Sequence, residues 1–463
     1  MPTLSVVMIV KDEAACLGDC LDSVRAIADE IVVADTGSTD DTVAIAQRFG
    51  AHVLQVPWHD DFAAARNQSL ADATGDWLLH LDADEVLDAQ GAARIRAIVD
   101  ADGAGAHGDR ADAIEVTLAN YCDAVRAWRW MPVAPDDPMA RGHAGYIAVG
   151  LLRLFRNHRG FEYREPVHEN ITESVRDHGG VIRAEPIVIH HYGFAGDPEK
   201  GRTKARAYFA IAKRKAAQRP EDPKSWCDLA EQAFACGDAA TAEDAARKAL
   251  DIEPLNLAAT TMLANLWLNR GDLDDARALL ERLEAANVAP PHVVTALAAV
   301  ACRQGRLDEA RRRLEAVLDA QPNAIQARLY LARTLDRLGD TAAAHEQLQQ
   351  AAATAPRLQE LQDRLEAHQL RQAAEAQYQA RDLEAALATL VRALELDPED
   401  PLTHNDLGVV LTALQQPAKA RRAFERALRL APAMPEAADN LAALTQQGGA
   451  LDNERPSRHT EGA

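Results

Sequence analysis

Two patterns of apolar and polar positions alternate over the first 81 residues of the chain. Continuous runs of branched apolar residues, which predict buried parallel strands, cover residues 5–10, 30–34, 51–56 and 77–81. Segments with apolar residues every three or four positions, which predict helices, separate them at residues 13–28, 39–49 and 62–73. Strands that alternate with helices of this length are joined by βαβ crossovers. The sequence therefore predicts an α/β domain with a mostly parallel sheet.

Polar residues gather where three of these predicted strands end. Lys-Asp-Glu at 11–13 follows the first strand, Asp-Thr-Gly-Ser-Thr-Asp at 35–40 the second, and Asp-Ala-Asp-Glu at 82–85 the fourth. Ligands of open α/β sheets bind at the carboxyl ends of the strands. Three carboxylates within four residues suit Mg²⁺ or Mn²⁺, which would neutralise the phosphates of a substrate. The alternative is a solvated acidic loop after a buried strand.

The chain has no glycine-rich loop of the kind that binds phosphates. Neither GxGxxG nor GxxxxGK[ST] occurs, so a dinucleotide-binding domain and a P-loop enzyme both lack their phosphate loops. A nucleotidyltransferase would need a loop rich in Gly and Lys or Arg after the first strand, and residues 11–13 do not provide one. A metal is therefore the expected means of holding a diphosphate.

Composition narrows the class of protein and its location. A formal net charge of −21 argues against nucleic acid or an anionic membrane surface as a partner. Six cysteines are scattered without a CxxC pair, so neither a zinc site nor a disulfide framework is indicated. The apolar run near the N-terminus is too short for a signal peptide, and no later segment approaches a membrane span. We expect a cytoplasmic protein.

A period of 34 residues begins near residue 221. It is marked by a turn glycine at Gly237, Gly271, Gly305 and Gly339, and by a small residue at Ala242, Ala276, Ala310, Ala344, Ala386 and Ala420. An insertion of eight residues shifts the register before the last two units, where Arg381 and Gln415 replace the turn glycine. This spacing resembles the tetratricopeptide repeat, a pair of helices. We expect six such hairpins and a capping helix from 435 to about 445.

Seven short motifs carry a resemblance to a known family. They are VVMIVKDE at 6–13, DTGSTD at 35–40, DFAAARN at 61–67, LDADE at 81–85, RLFRN at 153–157, PVHE at 166–169 and HYGF at 191–194. As an ordered set over residues 3–196 they resemble glycosyltransferase family 2, the inverting GT-A enzymes that use nucleotide-sugars. The soluble branch with tetratricopeptide tails, which includes peptide glycosyltransferases, is the most similar. Asp12, where that branch has Asn, and Glu165, where Gly is common, depart from its pattern.

The resemblance implies a donor site and a metal site at the strand ends. The donor, expected to be a UDP-sugar, would be bound by Val10, Glu13, Asp35, Arg66, Asn67 and Asp82, and Mn²⁺ or Mg²⁺ by Asp82, Asp84 and His191. Arg66 would lie near the diphosphate, since a guanidinium suits phosphate oxygens; the alternative is a surface ion pair with Asp61 or Asp72. His190 competes with His191 as the ligand, because adjacent strand residues point to opposite faces.

The resemblance also implies that Glu169 is the catalytic base. Inversion needs a carboxylate that takes the acceptor's proton as the acceptor attacks opposite the leaving diphosphate. The alternative is a strand-end residue paired with Arg164 or Arg176. The irregular stretch at 121–146, rich in aromatics and prolines, is either the acceptor side of the cleft or a surface excursion packed on its own aromatic residues.

These observations predict four segments and one function. The segments are a catalytic domain at 1–196, a basic linker helix at 197–220, repeats with a capping helix at 221–445, and a disordered tail at 446–463. The function is a metal-dependent inverting glycosyltransferase whose repeats hold a protein or peptide acceptor. An inactive scaffold that binds proteins through its repeats is the alternative, and self-association into a homo-oligomer is another use for the repeats.

Overall fold

The computed structural model describes residues 1–102, 111–125, 129–193 and 198–453. The chain forms two compact units, Met1–Leu266 and Trp267 onward. Within the described ranges, every helix falls short of the length or the apolarity that a bilayer crossing requires.

The first unit starts with alternating strands and helices. In chain order they are β1 (Leu4–Val10), α1 (Leu17–Val24), β2 (Glu30–Asp35), α2 (Thr42–Arg48), β3 (His52–Gln55), α3 (Phe62–Asp72) and β4 (Trp77–His80). The strands pair in parallel in the order β3-β2-β1-β4, with Val10 opposite Asp35. The predicted α/β start with its parallel strands is confirmed.

Further strands extend this sheet and make it mixed. The elements that follow are β5 (Glu85–Leu87), α4 (Ala89–Asp102), β6 (Ala113–Tyr121), β7 (Trp130–Pro132), β8 (Gly145–Arg156), α5 (Thr172–Asp177) and β9 (Ile182–His191). The order continues β4-β8-β6-β9-β5, and β7 pairs with β8. The β6–β9 pair is parallel, whereas β8 runs antiparallel to β4, β6 and β7, and β5 runs antiparallel to β9.

Both faces of the sheet are covered, which explains why the strands are continuously apolar. In β1, Val6 and Met8 pack on one face with Leu21 of α1, and Val7 packs on the other face with Phe155 of β8. All of these side chains are buried. A strand buried on both faces has no solvent side on which polar residues could alternate.

Helices make up the rest of the described chain. They are α6 (Pro198–Gln218), α7 (Pro223–Ala235), α8 (Ala239–Ile252), α9 (Leu257–Arg270), α10 (Leu273–Ala285), α11 (Pro291–Arg303), α12 (Leu307–Ala320), α13 (Ile325–Arg337), α14 (Thr341–Thr354), α15 (Gln359–Gln379), α16 (Leu383–Leu396), α17 (Pro401–Ala413), α18 (Pro417–Leu430) and α19 (Pro435–Asn453). From α7 to α18 they follow one another as the six expected helix pairs. The repeat prediction is confirmed.

Three details of the repeats follow from the sequence. Helix α15 has 21 residues where the first helix of the neighbouring pairs has 13, so it absorbs the eight-residue insertion. The turn residues that replace glycine keep its backbone, since φ is +63° at Arg381 and +58° at Gln415. The six small alanines are each fully buried, which lets the paired helices approach closely.

Two segments differ from what the pattern suggests. The stretch at 121–146 contains β7 and a short 3₁₀ helix at Pro138–Ala140, and residues 126–128 lie outside the described ranges. Helix α19 continues to Asn453 instead of ending near 445, so residues 446–453 are helical rather than part of a tail. The first proline that could stop this helix after Pro435 is Pro456. Residues 454–463 of the expected tail lie outside the described ranges.

Candidate active site

The acidic segment after β4 is a tight turn whose three carboxylates point to different partners. The backbone N–H of Glu85 donates to the carbonyl of Asp82 over 3.0 Å, which closes the turn. Asp82 faces two arginines, Asp84 faces His191, and Glu85 is buried. The alternative of a solvated acidic loop does not describe this segment, because each carboxylate has a specific partner.

Arg66 lies between Asp82 and Glu169, the candidate base. It is 6% exposed and is presented by α3. Its Nη1 donates to Asp82 Oδ1 over 2.9 Å, and its Nε donates to Glu169 Oε1 over 2.5 Å. The alternative of a surface ion pair with Asp61 or Asp72 is therefore not what the fold makes. One guanidinium joins a carboxylate of the strand end to the carboxylate that is the candidate base.

Arg153 and His80 belong to the same buried group, and the sequence did not single them out as site residues. Arg153, in β8, donates through Nη2 to Glu85 Oε1 over 2.5 Å and through Nη1 to His80 Nδ1 over 2.7 Å. Arg66 contacts the other ring nitrogen of His80. A single arginine inside the apolar run of residues 151–155 was the available signal, because a buried cation requires a partner.

The arginines decide which of the buried groups are charged. Burial would raise the pKa of Asp82, but Arg66 and Arg153 outweigh it and hold that pKa well below its usual range. Burial raises the pKa of Glu85 to about 7, against the opposing effect of Arg153. Burial and the two arginines together lower the pKa of His80 well below its usual value. Asp82 is therefore ionised and His80 neutral at physiological pH.

Glu169 lies in a loop that leads into α5. Its side chain is 13% exposed, and Oε1 accepts from Arg66. Of the alternative partners, Arg164 binds Glu162 and Asp177 instead. Arg164 and Asn170 exchange backbone hydrogen bonds of 3.0 Å on either side of the loop. Glu169 is thus held as part of the buried group and not as a surface ion pair.

Asp84 and His191 come together as a candidate metal site. His191 Nε2 lies 3.2 Å from Asp84 Oδ2, and its Nδ1 lies 2.6 Å from Asn120 Oδ1. A Cβ at Gly193 would lie 2.6 Å from both Asp84 Oδ2 and His191 Nε2, so the glycine leaves space beside these two atoms. The second ring nitrogen of His191 is fixed by an amide, and a carboxylate and space lie beside the first. These features fit a divalent cation.

The predicted third ligand, Asp82, is not turned toward that pair. Its carboxylate faces Arg66 and Arg153, because two buried arginines require an anionic partner. Across residues 1–102, 111–125, 129–193 and 198–453, no group of three His, Cys, Asp or Glu side chains is placed to hold a metal. His190 points away to Tyr121, whose hydroxyl lies 2.9 Å from Nδ1, so the geometry favours His191 over His190.

The other predicted donor residues differ in what they offer. Asp35 is buried at the end of β2, and its carboxylate accepts from the backbone N–H groups of Gly37 and Ser38 over 3.1–3.3 Å. Val10 lies beside it at the end of β1, and the backbone N–H of Glu13 donates to Thr42 Oγ1 over 2.8 Å. These positions lie together at the carboxyl edge of the sheet.

Asn67 bonds to the backbone of Tyr163 through both atoms of its amide. Its Nδ2 donates to the carbonyl of Tyr163 over 2.9 Å, and its Oδ1 accepts from the Tyr163 backbone N–H over 2.8 Å. Both ends of the amide are used in fixing the chain before the Glu169 loop. Asn67 therefore positions that segment, and its predicted contact with a donor stays a prediction.

The two positions that depart from the family pattern share one backbone feature. Asp12 has φ of +55° and Glu165 has φ of +83°, both in the left-handed region. Asn and Gly, the residues usual at these positions, adopt this region readily. Asp12 compensates by accepting from the Thr39 backbone N–H over 2.7 Å, an interaction that lowers its pKa.

The aromatic stretch before β8 packs largely on itself. Trp130 is buried, and its Nε1 donates to the Cys122 carbonyl over 2.7 Å. Tyr121 stacks on Tyr192 with ring centroids 5.3 Å apart. Met131 is 46% exposed, whereas Trp128 lies outside the described residues. The geometry of Trp130 agrees with the alternative of aromatics packed on their own segment.

Comparisons with known proteins agree with this fold. The glycosyl transferase family 2 model matches residues 5–156, and tetratricopeptide repeat models match residues 233–300, 301–371 and 371–435. A TPR repeat-containing protein of Synechococcus elongatus is 31% identical over 441 residues, which is 92% of each chain. The match to an uncharacterized glycosyltransferase of Rickettsia felis is 43% identical over 89 residues, 19% of this chain and 30% of that protein.

A further comparison covers about half of the chain. The SPbeta prophage-derived glycosyltransferase SunS of Bacillus subtilis is 24% identical over 228 residues, 48% of this chain and 47% of that protein. The mixed sheet at the start of the chain is thus the part that matches glycosyltransferases. The chain belongs with the TPR repeat-containing proteins, and its residues 5–156 form a glycosyl transferase family 2 domain that precedes the repeats.

Proposed function

We propose that the enzyme is an inverting transferase that moves a sugar from a nucleotide-sugar, a UDP-sugar first among them, with the help of Mn²⁺ or Mg²⁺. The observation that carries this proposal is the Arg66 bridge between Asp82 and Glu169. It holds a candidate base next to the strand end at which Asp84 and His191 meet. On this proposal, the donor and the acceptor would meet at this strand end.

Each residue then has a defined role. Asp84 and His191 would hold the metal, which would neutralise charge on the leaving diphosphate. Arg66 bonds Glu169 at Oε1, so Oε2 is the atom that takes the proton from the acceptor as it attacks. Arg153 balances Asp82 and Glu85, which keeps the donor side from carrying an excess of negative charge. Asp35 and Glu13 lie where a base and ribose would bind.

The base assignment is tested by Glu169→Gln. This variant keeps the shape and the contact with Arg66 but removes basicity, so hydrolysis of the donor by water should fall about 10²- to 10⁴-fold. A panel of nucleotide-sugars with and without Mn²⁺ would identify the donor first. Glu162→Gln is the matched control, because Glu162 is exposed and binds Arg164 nearby. Turnover of Glu169→Gln at the wild-type rate would remove Glu169 from this role.

The metal assignment is tested by Asp84→Ala. Calorimetric binding of UDP should be strengthened by Mn²⁺ in the wild type and should not respond to Mn²⁺ in the variant. The fold should be retained, since Asp84 lies in a turn and its side chain is partly exposed. Asp100→Ala, on the exposed face of α4, is the control and should behave as wild type. A response to Mn²⁺ that survives in Asp84→Ala would contradict the assignment.

We also infer that the repeats hold a protein or peptide acceptor and that the enzyme works in the cytoplasm. Stacked helix pairs present a surface suited to peptides and have no chemistry of their own. All six cysteines, which lie within the described residues, are free thiols, as in a reducing compartment. Under this proposal, residues 1–196 act as the catalytic domain, 197–220 as the linker and 221–445 as the acceptor arm. Light scattering on the full chain distinguishes this use of the repeats from self-association into a homo-oligomer.

A further inference from the structure

Lys215 is a buried cation that the proposed mechanism does not use. Its side chain, in α6, is 1% exposed. Nζ lies 2.8 Å from Glu165 Oε2 and 2.6 Å from Asp228 Oδ2 of α7. Burial would lower the pKa of Lys215, but Asp228 and Glu165 outweigh it and raise that pKa. The cluster joins the linker helix and the first repeat helix to the loop that carries Glu169.

That loop has an unusual backbone. Glu165 has φ of +83° and His168 has φ of +54°, so two residues with side chains adopt the left-handed region within four positions. Such a backbone persists only where its surroundings hold it in place. Glu169 follows His168 directly, so the position of its carboxylate depends on these surroundings.

Helices α6 and α7 hold the loop at both left-handed positions. Besides Lys215, Arg219 binds the carboxylate of Glu165. At the other position, Lys224 Nζ donates to the His168 carbonyl over 3.2 Å, and Gln232 Nε2 lies 2.9 Å from His168 Nε2.

The segment between these positions is fixed from the other side. The carbonyl of Pro166 accepts from the backbone N–H of Phe62 over 3.0 Å. Phe62 begins α3, the helix that presents Arg66. The loop is therefore clamped between the helix of the arginine and the two helices that follow the catalytic sheet.

We propose that Lys215 is a positioning residue for Glu169, acting through Glu165, so that the linker helix and first repeat helix set the geometry of the candidate base. This proposal rests on the proposed function, in which Glu169 is the base. Glu165 takes the place of a glycine common in the family. Its carboxylate binds Lys215 of α6, which also binds Asp228 of α7, so both helices are connected to the loop. The first repeat then serves the reaction itself as well as any partner.

A double-mutant cycle tests whether Lys215 acts through Glu169. Lys215→Met should lower kcat for donor hydrolysis by ~10- to 100-fold through misplacement of the base, with UDP affinity in Mn²⁺ unchanged. In a Glu169→Gln background, Lys215→Met should cause no further loss, because there is no base left to misplace. An equal loss in both backgrounds would show a general structural role and overturn the proposal. Lys248→Met, which removes a cation paired with Asp244 on α8, is the control.

Hydrogen exchange on the full chain gives a second readout that needs no activity. Amides of residues 162–170 should exchange at least about tenfold faster in Lys215→Met than in the wild type, whereas residues 77–87 should not change. Unchanged exchange at 162–170 overturns the proposal whatever the kinetics show. If Glu169→Gln turns over like the wild type, the base assignment fails, and this exchange comparison still decides the role of Lys215.

Gln232→Ala covers the case in which Lys215→Met does not fold. It removes only the neutral contact with His168 and leaves the charged cluster intact. The same pattern is expected at smaller size: faster exchange at 162–170, lower kcat and unchanged UDP affinity. If Gln232→Ala matches the wild type in exchange and in kcat, the two helices do not position the loop.

Discussion

At the scale of single residues, Arg66 and Arg153 determine which side chains around the acidic turn are charged. Asp82 contacts both, so it remains ionised. Glu85 contacts Arg153, but burial outweighs that contact and raises the pKa of Glu85 to about 7. His80 lies between the two arginines and stays neutral. Buried charges of this kind are stable only as a complete set, because removing one partner leaves the other uncompensated.

The charged contacts of Glu165 predict how the free energy of unfolding depends on pH. Burial would raise its pKa, but Lys215 and Arg219 outweigh it and lower the pKa below the ordinary value of 4.5. A lowered folded-state pKa contributes stability that is present above 4.5 and is lost as the pH falls through the folded-state value. Glu165→Gln should therefore lower the free energy of unfolding by about 1–3 kcal/mol at pH 7.

Urea unfolding at several pH values checks this prediction. The difference between wild type and Glu165→Gln should shrink as the pH falls from about 4.5 through the lowered folded-state pKa, below which both side chains are neutral. Glu162→Gln, which alters an exposed carboxylate, should show little difference at any pH. A wild-type advantage that persists unchanged at acid pH would mean that the charge of Glu165 is not what stabilises the loop.

Single residues also show how far the sequence could lead. The motifs named Asp84, His191, Arg66 and Glu169, and the fold brings them together as two linked pairs. Arg153 was missed as a site residue, because its role depends on β8 lying antiparallel to β4, with Leu79 opposite Leu154. That register comes from packing between segments about 75 residues apart in the chain, which local periodicity does not encode.

At the scale of elements, strand pairing explains why Asp84 and His191 lie side by side. Antiparallel pairing of β5 with β9 sets Glu85 opposite His191, and this returns the histidine to the acidic turn. The backbone N–H of Tyr192 then donates to the Asp84 carbonyl over 3.1 Å, which fixes the two segments to each other. The parallel start of the sheet was predictable from its apolar runs, whereas this later pairing was not, because nothing local specifies an antiparallel return.

A side chain added at Gly193, two residues after β9, should disturb the proposed metal site. Its φ lies outside the left-handed region, so alanine fits the backbone, but the added Cβ would lie 2.6 Å from Asp84 Oδ2 and His191 Nε2. Gly193→Ala should therefore reduce the effect of Mn²⁺ on UDP affinity by about tenfold or more, through displacement of a proposed ligand. Thermal stability should change little, because Gly193 is exposed.

A glycine with open space around it provides the comparison. Gly18, in α1, would have no heavy atom within 4 Å of an added Cβ, so Gly18→Ala should leave Mn²⁺-dependent binding as it is. It should also raise helix stability slightly, by about 0.5–1 kcal/mol. If Gly193→Ala binds UDP with the full response to Mn²⁺, the space beside Asp84 and His191 is not where the ion lies.

At the scale of the whole molecule, the first compact unit extends to Leu266 and includes the first helix pair. Motifs suggested a catalytic segment that stops near 196, and the 34-residue period suggested repeats from 221. Both patterns describe the sequence correctly, but neither reports the Lys215–Asp228 contact or the contacts of Lys224 and Gln232 with His168. A repeat pattern records how helices pair with one another and not what else they touch.

Truncated fragments test whether the catalytic unit includes the first helix pair. A fragment of residues 1–220 lacks α7, so it leaves Lys215 without Asp228, whereas residues 1–270 retain the pair. The shorter fragment should be less stable by about 3 kcal/mol or more, as expected for a broken buried ion pair. Urea unfolding of both fragments measures the difference, and Asp228→Ala in the longer fragment should reproduce a large part of it. Equal stability of the two fragments would show that the catalytic unit is complete without the first repeat.

The shared guanidinium of Arg66 has a consequence for the order in which substrates bind. Its Nε and Nη1 already donate to Glu169 and Asp82, so donor phosphates that approach these two atoms would compete with both carboxylates. On the proposed roles, arrival of the donor would draw the guanidinium away from Glu169. An acceptor that enters first would meet a Glu169 whose Oε1 is still bonded to Arg66. On the proposed function, we therefore expect the nucleotide-sugar to bind before the acceptor.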